Sequence, residues 1–493
     1  MRRASDAPRM GENMSVSITQ YKNFVGGEWV ESTSGETMTV LNPSTGEAIA
    51  EVPRGTADDV SRAVEAAKKA WPEWREKTPK DRMELLLKLA DLIDEHADEL
   101  AKLESLNVGK PMMIAVDEMP FSADNLRFFA GAARTLEGKS AGEYVAGYTS
   151  ILRREPLGIV AGITPWNYPL MMVVWKLGPA LAAGNCQILK PAEQTPLSTL
   201  RFAELAQEVL PAGVLNVITG DGVPVGDGLV RSPEIALVSL TGDVETGKTI
   251  ARNAADTLKR VHLELGGKAP MVVLDDADPA QVAEAVKIGG YWNSGQDCTA
   301  SSRILVSERI YDDVMSETVK VIEGMKVGDP ADGDDVEMGP VISEEQRERV
   351  LGFLERLPAR ASVVTGGGAL RDRGFFVEPT IVADVEQDDE IVQREVFGPV
   401  VTVQRFAADD DAIAMANDVP YGLAASVFSR NVGRALSAAK QLDFGTVWIN
   451  EHLFPLASEM PHGGFKQSGY GKDMSLYSME EYTRLKHVAV KLS

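Results

Sequence analysis

Apolar positions fall into two regimes along this chain. In its middle part, short runs that are apolar at every position alternate with segments of helical spacing. Ile159–Ile163, Cys186–Leu189, Val214–Ile218 and Ala236–Leu240 read as buried strands, with helices expected near 169–183, 196–210, 223–231 and 244–257. Strands covered on both faces need continuous apolar runs, so this alternation predicts an α/β fold built on a doubly wound, mostly parallel sheet. A second α/β series follows from about residue 270, with strands at Met271–Leu274, Arg303–Val306 and Val400–Arg405. Before the first series, residues 20–52 alternate and carry the turn signals Gly26-Gly27, Asn42-Pro43 and Thr45-Gly46, which predicts short strands. Residues 57–70 have helical spacing. Thr78-Pro79 opens an amphipathic helix, with threonine as cap and Asp81 completing a capping box, and the pattern runs to about Leu106. The tail, 479–493, alternates like a strand with no partner nearby in sequence, so pairing with another subunit is expected.

Leu157–Asn185 is apolar enough to mimic a membrane span. Pro165, Pro169 and Pro179, with Gly158, Gly162 and Gly184, interrupt it before an unbroken run of ~20 apolar residues is reached. The better reading is buried strand, loop, buried helix and strand. A chain of 493 residues calls for two or three domains. Its formal net charge of −23 repels nucleic acid and anionic membranes and favours cationic small molecules. The two cysteines, Cys186 and Cys298, give no disulfide framework and fit a reducing, cytoplasmic compartment. The five histidines show no metal-ligand spacing, so no metal is expected. Residues 1–18 are polar, lack the apolar core of a signal peptide, and read as a disordered extension.

The chemistry concentrates in a few segments. Cys298 lies in Gly295-Gln296-Asp297-Cys298-Thr299, a soft nucleophile in a polar, glycine-flanked loop. Glu264 ends an apolar run entering Gly266-Gly267. Together they suggest covalent catalysis, a thiolate attacking and a carboxylate activating water. Asn167, in Thr164-Pro165-Trp166-Asn167-Tyr168-Pro169, carries an amide donor suited to an oxyanion. Tyr168, Met171 or Met172, and Trp175 share one helix face, a spacing that a core stripe explains equally. Lys190 and Glu193 follow a buried strand at its carboxyl end, where such sheets bind ligands. Glu193 there disfavours a 2′-phosphate and so favours NAD over NADP. Glu395 and Phe397 place a carboxylate and a ring two residues apart. Gly242-Asp243-Val244-Glu245-Thr246-Gly247-Lys248-Thr249 formally matches a P-loop, which keeps a nucleotide triphosphatase as a rival. Against that reading, Asp243 and Glu245 put two anions into the loop, and neither Cys298 nor Glu264 would have a role.

The segments PWNYP (165–169), LKPAEQTPL (189–197), LTGDVETG (240–247), LELGGKAP (263–270), GQDCTA (295–300), EVFGPV (395–400), YGLAASVF (421–428) and PHGGFKQSGYGKD (461–473) occur in one order. Together they resemble the aldehyde dehydrogenase superfamily from about residue 20 to the C-terminus. The resemblance implies that Cys298 attacks an aldehyde to form a thiohemiacetal, its oxyanion held by Asn167 and the Cys298 N–H. Hydride then passes to NAD, and Glu264 activates the water that hydrolyses the thioester. The CoA-acylating branch lacks that glutamate. Lys190 and Glu193 would hold the adenosine ribose, Glu395 the nicotinamide ribose, and Phe397 would lie beside the nicotinamide. Ile163, Trp166, Gly222, Gly226, Gly242, Asp243, Gly247 and Leu265 would shape the cofactor cleft.

Within the superfamily, the Asp297-Cys298 pair, DNLRFFAGAAR (124–134) and GKDMSLYSMEEY (471–482) resemble the aminobutyraldehyde branch. That implies 4-aminobutanal oxidised to 4-aminobutanoate, with Asp297 facing the substrate ammonium, Tyr168 and Trp175 enclosing it, and Phe454 as a wall. Asp117, Glu118 and Asp124 would attract the amine. A local hydrogen-bonding role for Asp297 stands beside this reading. Betaine aldehyde, a broad-range dehydrogenase and a non-catalytic NAD-binding scaffold are the alternatives. Two residues depart from the family pattern: Asp243 stands where serine is usual, and His462 where phenylalanine is common. The expected organisation is a cofactor domain from 19–139 and 160–269, a catalytic thiol domain over 270–455, and a return segment over 456–474. An oligomerisation element from 140–159 and 475–493 would build a homotetramer.

Overall fold

The computed structural model describes residues 18–138 and 141–492. The expected extension at 1–18 lies outside the described residues except for Ile18.

The first of two large sheets has eight strands, in the order Gly469–Tyr470, Arg260–Leu265, Ile235–Gly242, Ile159–Ile163, Cys186–Lys190, Leu215–Val217, Asn23–Val25, Glu28–Val30. The five strands from Arg260–Leu265 to Leu215–Val217 are parallel, and antiparallel partners flank them. Helices Ala57–Glu76, Pro169–Ala183 and Leu197–Ala206 pack on this sheet. Ile159–Ile163 is joined on one side by the next strand in sequence and on the other by Ile235–Gly242. The order of the chain therefore reverses between those two neighbours, and open α/β sheets bind ligands at such a point. Ile163 and Gly242 end the two strands there.

The second sheet has seven strands, Ser362–Thr365, Thr380–Ala383, Val400–Phe406, Arg303–Ser307, Pro270–Val273, Ala424–Phe428 and Thr446–Ile449. All pair in parallel except the outermost, Ser362–Thr365. The chain crosses from one sheet to the other through the turn Gly266–Ala269, immediately after Glu264 and Leu265. The carboxyl ends of the first sheet thereby face the amino ends of the second.

The structure differs from the sequence reading in three places. The helix expected from Pro79 to about Leu106 is two helices, Pro79–Glu95 and Ala97–Val108. His96 leaves the helical region at φ −110°, and Asp98 and Glu99 supply a fresh acidic first turn. The segment 223–231 opens with one π turn, Gly222–Gly226, before the helix Asp227–Arg231; Val223 is extended and Pro224 has no N–H to give. The C-terminal strand, expected to seek another subunit, pairs within its own chain. Thr483–Lys491 runs antiparallel to Tyr148–Pro156 along its whole length, with Gly142–Val145 as the third strand. The apolar helix Pro169–Ala183 is buried throughout, and among the described residues no helix is long and apolar enough to cross a membrane.

A buried charge network fastens the C-terminal segment to the first sheet. His262, on the strand Arg260–Leu265, places Nδ1 2.6 Å from Glu481 Oε2 and Nε2 3.3 Å from Asp473 Oδ1. Burial opposes the charged ring, but the two carboxylates outweigh it and raise His262 to about 9. Burial likewise opposes the Asp473 carboxylate, yet Lys176 at 3.7 Å and His262 hold it at about 2. A histidine with a raised folded pKa stabilises fully below its unfolded value and loses that contribution as pH rises through the folded one. Wild-type stability is therefore expected to fall between about pH 6.5 and about pH 9, by at most roughly 3 kcal/mol from this group. His262→Gln should flatten that slope in urea unfolding at pH values spanning the window. Equal slopes for the two proteins would refute the assignment.

Candidate active site

The strand Ile159–Ile163 delivers the chain into Thr164–Tyr168 at the point where strand order reverses. Pro169 then occupies the first turn of the next helix, where a missing N–H costs nothing. Asn167 is buried in this loop. Its Nδ2 donates to the Gln296 carbonyl at 3.0 Å, and Asn293 Nδ2 donates to the Asn167 carbonyl at 3.1 Å. These bonds tie the loop to the segment carrying Cys298.

That segment follows the helix Pro279–Tyr291 and is bent by three successive left-handed residues, Asn293, Ser294 and Gly295 (φ 49°, 60° and 68°). A Cβ on Gly295 would lie 2.2 Å from the Gly398 carbonyl oxygen, so only glycine fits. Asn293 is held by its bond to Asn167, and Ser294 by Oγ donating to the Gly339 carbonyl at 2.9 Å. Non-glycine residues persist in this conformation when their surroundings over-determine it. The bend turns Cys298 into a cleft that Asn167 and Glu264 also line.

Cys298 Sγ, a Glu264 carboxylate oxygen and a His462 ring nitrogen all lie within 4.8 Å of one another. His462 Nε2 is 3.7 Å from Glu264 Oε1. Both residues are buried, and no oxygen of Glu264 or ring nitrogen of His462 has a hydrogen-bond partner among the described residues. Desolvation, then the carboxylates of Glu264 and Asp297, push the Cys298 thiol well above its ordinary value. The arrangement thus sets a protonated thiol beside a carboxylate able to take its proton. Glu395 Oε1 accepts from the Gly267 N–H at 2.8 Å, and desolvation raises its carboxyl to about 7. Phe397, at φ 60°, meets Trp166 edge to face with ring centroids 5.1 Å apart.

A second cavity, of about 580 Å³, joins this cleft through Pro165, Trp166, Thr241, Gly242 and Asp243. Ile163, Lys190, Glu193, Gly222 and Gly226 line it. Lys190 Nζ donates to Glu193 Oε1 at 2.9 Å. A Cβ on Gly222 would meet nothing, so that backbone opens on the cavity. Gly247 and Leu265 are not on its wall. A Cβ on Gly247 would come 2.6 Å from Leu265 Cδ1, so this glycine lets the helix Val244–Ala254 close on its strand. That helix points its N-terminus at the cavity, a geometry that suits phosphate. Asp243 caps it, Oδ1 accepting from the Thr246 N–H at 2.8 Å. The P-loop reading fails here. Lys248 lies on the helix and donates to Glu245, while Thr249 Oγ1 bonds back to the Glu245 carbonyl.

On the far side of Cys298, Tyr168, Met171, Met172, Trp175 and Met474 form one buried cluster, edged by Phe121 and Trp292. Tyr168 Oη donates to Asp297 Oδ2 at 2.6 Å. Asp297 Oδ1 accepts from the Thr299 N–H and hydroxyl, each at 2.6 Å. The local hydrogen-bonding role for Asp297 is therefore present in full. Trp175 packs on His462 with centroids 5.2 Å apart, and Phe454 meets Trp292 edge-on at 5.3 Å. Glu118, expected to attract the amine, is instead buried against Lys110 Nζ at 2.7 and 2.8 Å. Lys110 also bonds Glu104 and stands over the Tyr168 ring at 4.6 Å. Asp117 and Asp124 remain exposed, Asp124 accepting from Ser458 Oγ.

Sequence reasoning missed the supporting cations Lys110 and Lys176, the latter donating to Thr241 Oγ1 at 2.7 Å. Their one signal is a lysine set among residues that the fold buries.

Residues 29–488 match the family model described as Aldehyde dehydrogenase family. The chain belongs to the aldehyde dehydrogenase family. It is 42% identical over 482 residues to phenylacetaldehyde dehydrogenase of Pseudomonas fluorescens, covering 95% of this chain and 96% of that one. It is 41% identical over 494 residues to human retinaldehyde dehydrogenase 3, covering 98% and 95%. Betaine aldehyde dehydrogenase from Staphylococcus aureus, solved in complex with NAD+, superposes with a TM-score of 0.94 at 40% identity, covering 97% and 96%. The activity is NAD-dependent oxidation of an aldehyde. The open Gly222 backbone, the Lys190–Glu193 pair and the exposed helix N-terminus fit the dinucleotide.

Asp243 works against that fit, because its carboxylate brings negative charge to the helix end that faces the cavity. Asp243→Ser keeps a capping hydroxyl and removes the charge. NAD should bind the variant about two- to fivefold more tightly, from ~0.3–1 kcal/mol at a helix terminus. A fluorescence titration with NAD and no aldehyde measures it, and an unchanged affinity would reject the argument.

Proposed function

We propose that this aldehyde dehydrogenase oxidises a short aldehyde with a terminal amine, 4-aminobutanal to 4-aminobutanoate being the best fit. One observation carries the reading: the Asp297 carboxylate, adjacent in sequence to Cys298, is buried and hydrogen-bonded to Tyr168 of the aromatic cluster. Two exposed acids support it. Asp117 and Asp124 flank Phe121 on the helix Met112–Ala133, and Phe121 edges the same cluster. A cationic aldehyde would meet negative charge at both ends of this path. The relatives named above act on betaine aldehyde, phenylacetaldehyde and retinaldehyde, so similarity at 40–42% does not choose among aldehydes.

In this reading Glu264 takes the Cys298 proton, and Sγ attacks the carbonyl carbon. The oxyanion is met by the Cys298 N–H, which makes no hydrogen bond among the described residues. Asn167 adds a second donor: one N–H of its amide is committed to Gln296, which orients the other. When bound, NAD supplies the hydride acceptor. Glu264, having released that proton to solvent, draws another from the water that attacks the thioester; the C–S bond breaks, the Cys298 sulfur takes the proton back and the acid leaves. Lys190 and Glu193 hold the adenosine ribose, Glu395 the nicotinamide ribose, and Phe397 and Trp166 confine the reacting end. The enzyme works as a homotetramer in a reducing cytoplasm. Its arm sheet exposes Tyr144, Val145, Tyr148, Leu485 and Val490, apolar surface that other subunits would cover.

Two experiments test these assignments. Glu264→Gln keeps the shape of the side chain but cannot accept a proton. Steady-state NADH formation should fall about 10²–10⁴-fold, and the first-turnover burst of NADH should fall with it, because both proton transfers use Glu264. Turnover near wild type would remove Glu264 from the mechanism. For the substrate, kcat/KM is compared for 4-aminobutanal, betaine aldehyde and hexanal in wild type and Asp297→Asn, which retains an acceptor for Thr299. A selective loss on 4-aminobutanal of about tenfold or more is expected, the scale of a hydrogen bond to a charged group. A wild-type preference for betaine aldehyde would replace the substrate. Equal losses on hexanal would reduce Asp297 to a structural role.

A further inference from the structure

We propose that Cys298, Glu264 and His462 form a binding site for a zinc-class divalent cation that reversibly switches the nucleophile off. The three side chains bring sulfur, carboxylate oxygen and imidazole nitrogen together from three separate segments, with the donor atoms all within 4.8 Å. Zinc takes thiolate at ~2.3 Å, imidazole at ~2.0–2.1 Å and carboxylate at ~2.0–2.2 Å, so a tetrahedral site places its donors roughly 3.3–3.7 Å apart. Glu264 Oε1 and His462 Nε2 already stand at 3.7 Å. A rotation of the Cys298 side chain completes the triad, and the cleft leaves the fourth position open.

The second observation is the state of the donors. Glu264 is 1% exposed and His462 3%, yet neither oxygen of the one nor nitrogen of the other has a hydrogen-bond partner among the described residues. Buried polar atoms are normally satisfied, so four in one cluster point to something that binds them. In turnover the attacking water serves that need; a cation competes for the same atoms. The frame is rigid enough to select a geometry. Glu264 lies in a parallel strand between paired neighbours. The His462 backbone exchanges two hydrogen bonds with Asp473, at 2.9 and 2.8 Å, and its ring packs on Trp175.

Binding exchanges the Cys298 thiol proton for the cation and releases that proton to solvent, with no change in oxidation state. The sulfur lone pair is then committed to the metal and Glu264 can no longer act as a base, so turnover stops until a chelator or a thiol buffer withdraws the ion. The inference goes beyond the aldehyde assignment and does not depend on which aldehyde is used. The third ligand comes from His462, so a chain with phenylalanine there would retain the thiol and carboxylate but not the site.

The test titrates Zn2+ into the full-length enzyme without NAD or aldehyde, read by competition with a chromophoric zinc indicator. One tight equivalent is expected, with an X-ray absorption spectrum showing one sulfur among nitrogen and oxygen neighbours. His462→Phe, which keeps a ring against Trp175, and Cys298→Ser should each weaken binding by about 10–100-fold or more. Zinc should raise the melting temperature of wild type and not of either variant. Unchanged affinity in His462→Phe overturns the proposal. So does a first shell without sulfur in the wild type, a reading that stands even if a variant fails to fold.

Discussion

The site depends on one close approach of backbones at Gly266-Gly267. A Cβ on Gly267 would lie 2.2 Å from the Cys298 carbonyl oxygen, and one on Gly266 would lie 2.2 Å from Glu395 Oε2. At Gly267 the neighbour is main chain, so only glycine fits; at Gly266 a side chain would displace the Glu395 carboxylate. The turn leaves the first sheet just after Glu264 and enters the second, so Glu264, Cys298 and Glu395 are brought together where the two sheets join. Ser468 closes the arrangement from outside, Oγ donating to the Gly266 carbonyl at 2.7 Å and accepting the Gly422 N–H at 3.0 Å. Groups held this way keep their geometry without relying on side-chain rotamers, which is what proximity effects demand.

The same crowding sets the electrostatics. Glu264, Asp297 and Glu395 surround a thiol that desolvation already pushes up. Arg349 answers them from the cleft wall beside Glu395, and other cations answer from behind. Lys110 stands over Tyr168, Lys176 reaches Thr241, and Lys268, fully buried and lowered to about 7 by desolvation and by Arg303, sits behind the glycine turn. Burial and these carboxylates hold Cys298 as a thiol rather than a standing thiolate, even with the His462 ring nearby.

The central strands could be read from the sequence because both their faces are covered, so each appears as an unbroken apolar run. Cys298 and Glu264 were readable because glycines flank them, and those glycines are the ones the close approach requires. What stayed hidden depends on contacts distant in sequence. Nothing in the alternation of 479–493 says that its partner is Tyr148–Pro156. His96 interrupts a helix whose apolar spacing continues through the break. His462 looks like a neutral replacement until the fold sets it 3.7 Å from Glu264, a pairing that no local spacing of histidines could reveal. Lys110 likewise reads as a loop residue before Pro111, and only the structure buries it between Glu104 and Glu118.

In the proposed function Asp297 is structural and selective at once. A carboxylate has about four acceptor positions on its two oxygens. Thr299 takes two on Oδ1 and Tyr168 takes one on Oδ2. Those three donors hold the carboxylate in place, hydrogen-bonded to Tyr168 at the edge of the buried aromatic and methionine cluster. On the proposed reading a substrate ammonium would use the remaining acceptor position, and the local bonds are the condition for that selectivity, because a carboxylate free to turn away would recognise nothing. Tyr168 is fixed in turn by Lys110 over its ring, so the Asp297 geometry extends back to the buried Lys110–Glu118 ion pair.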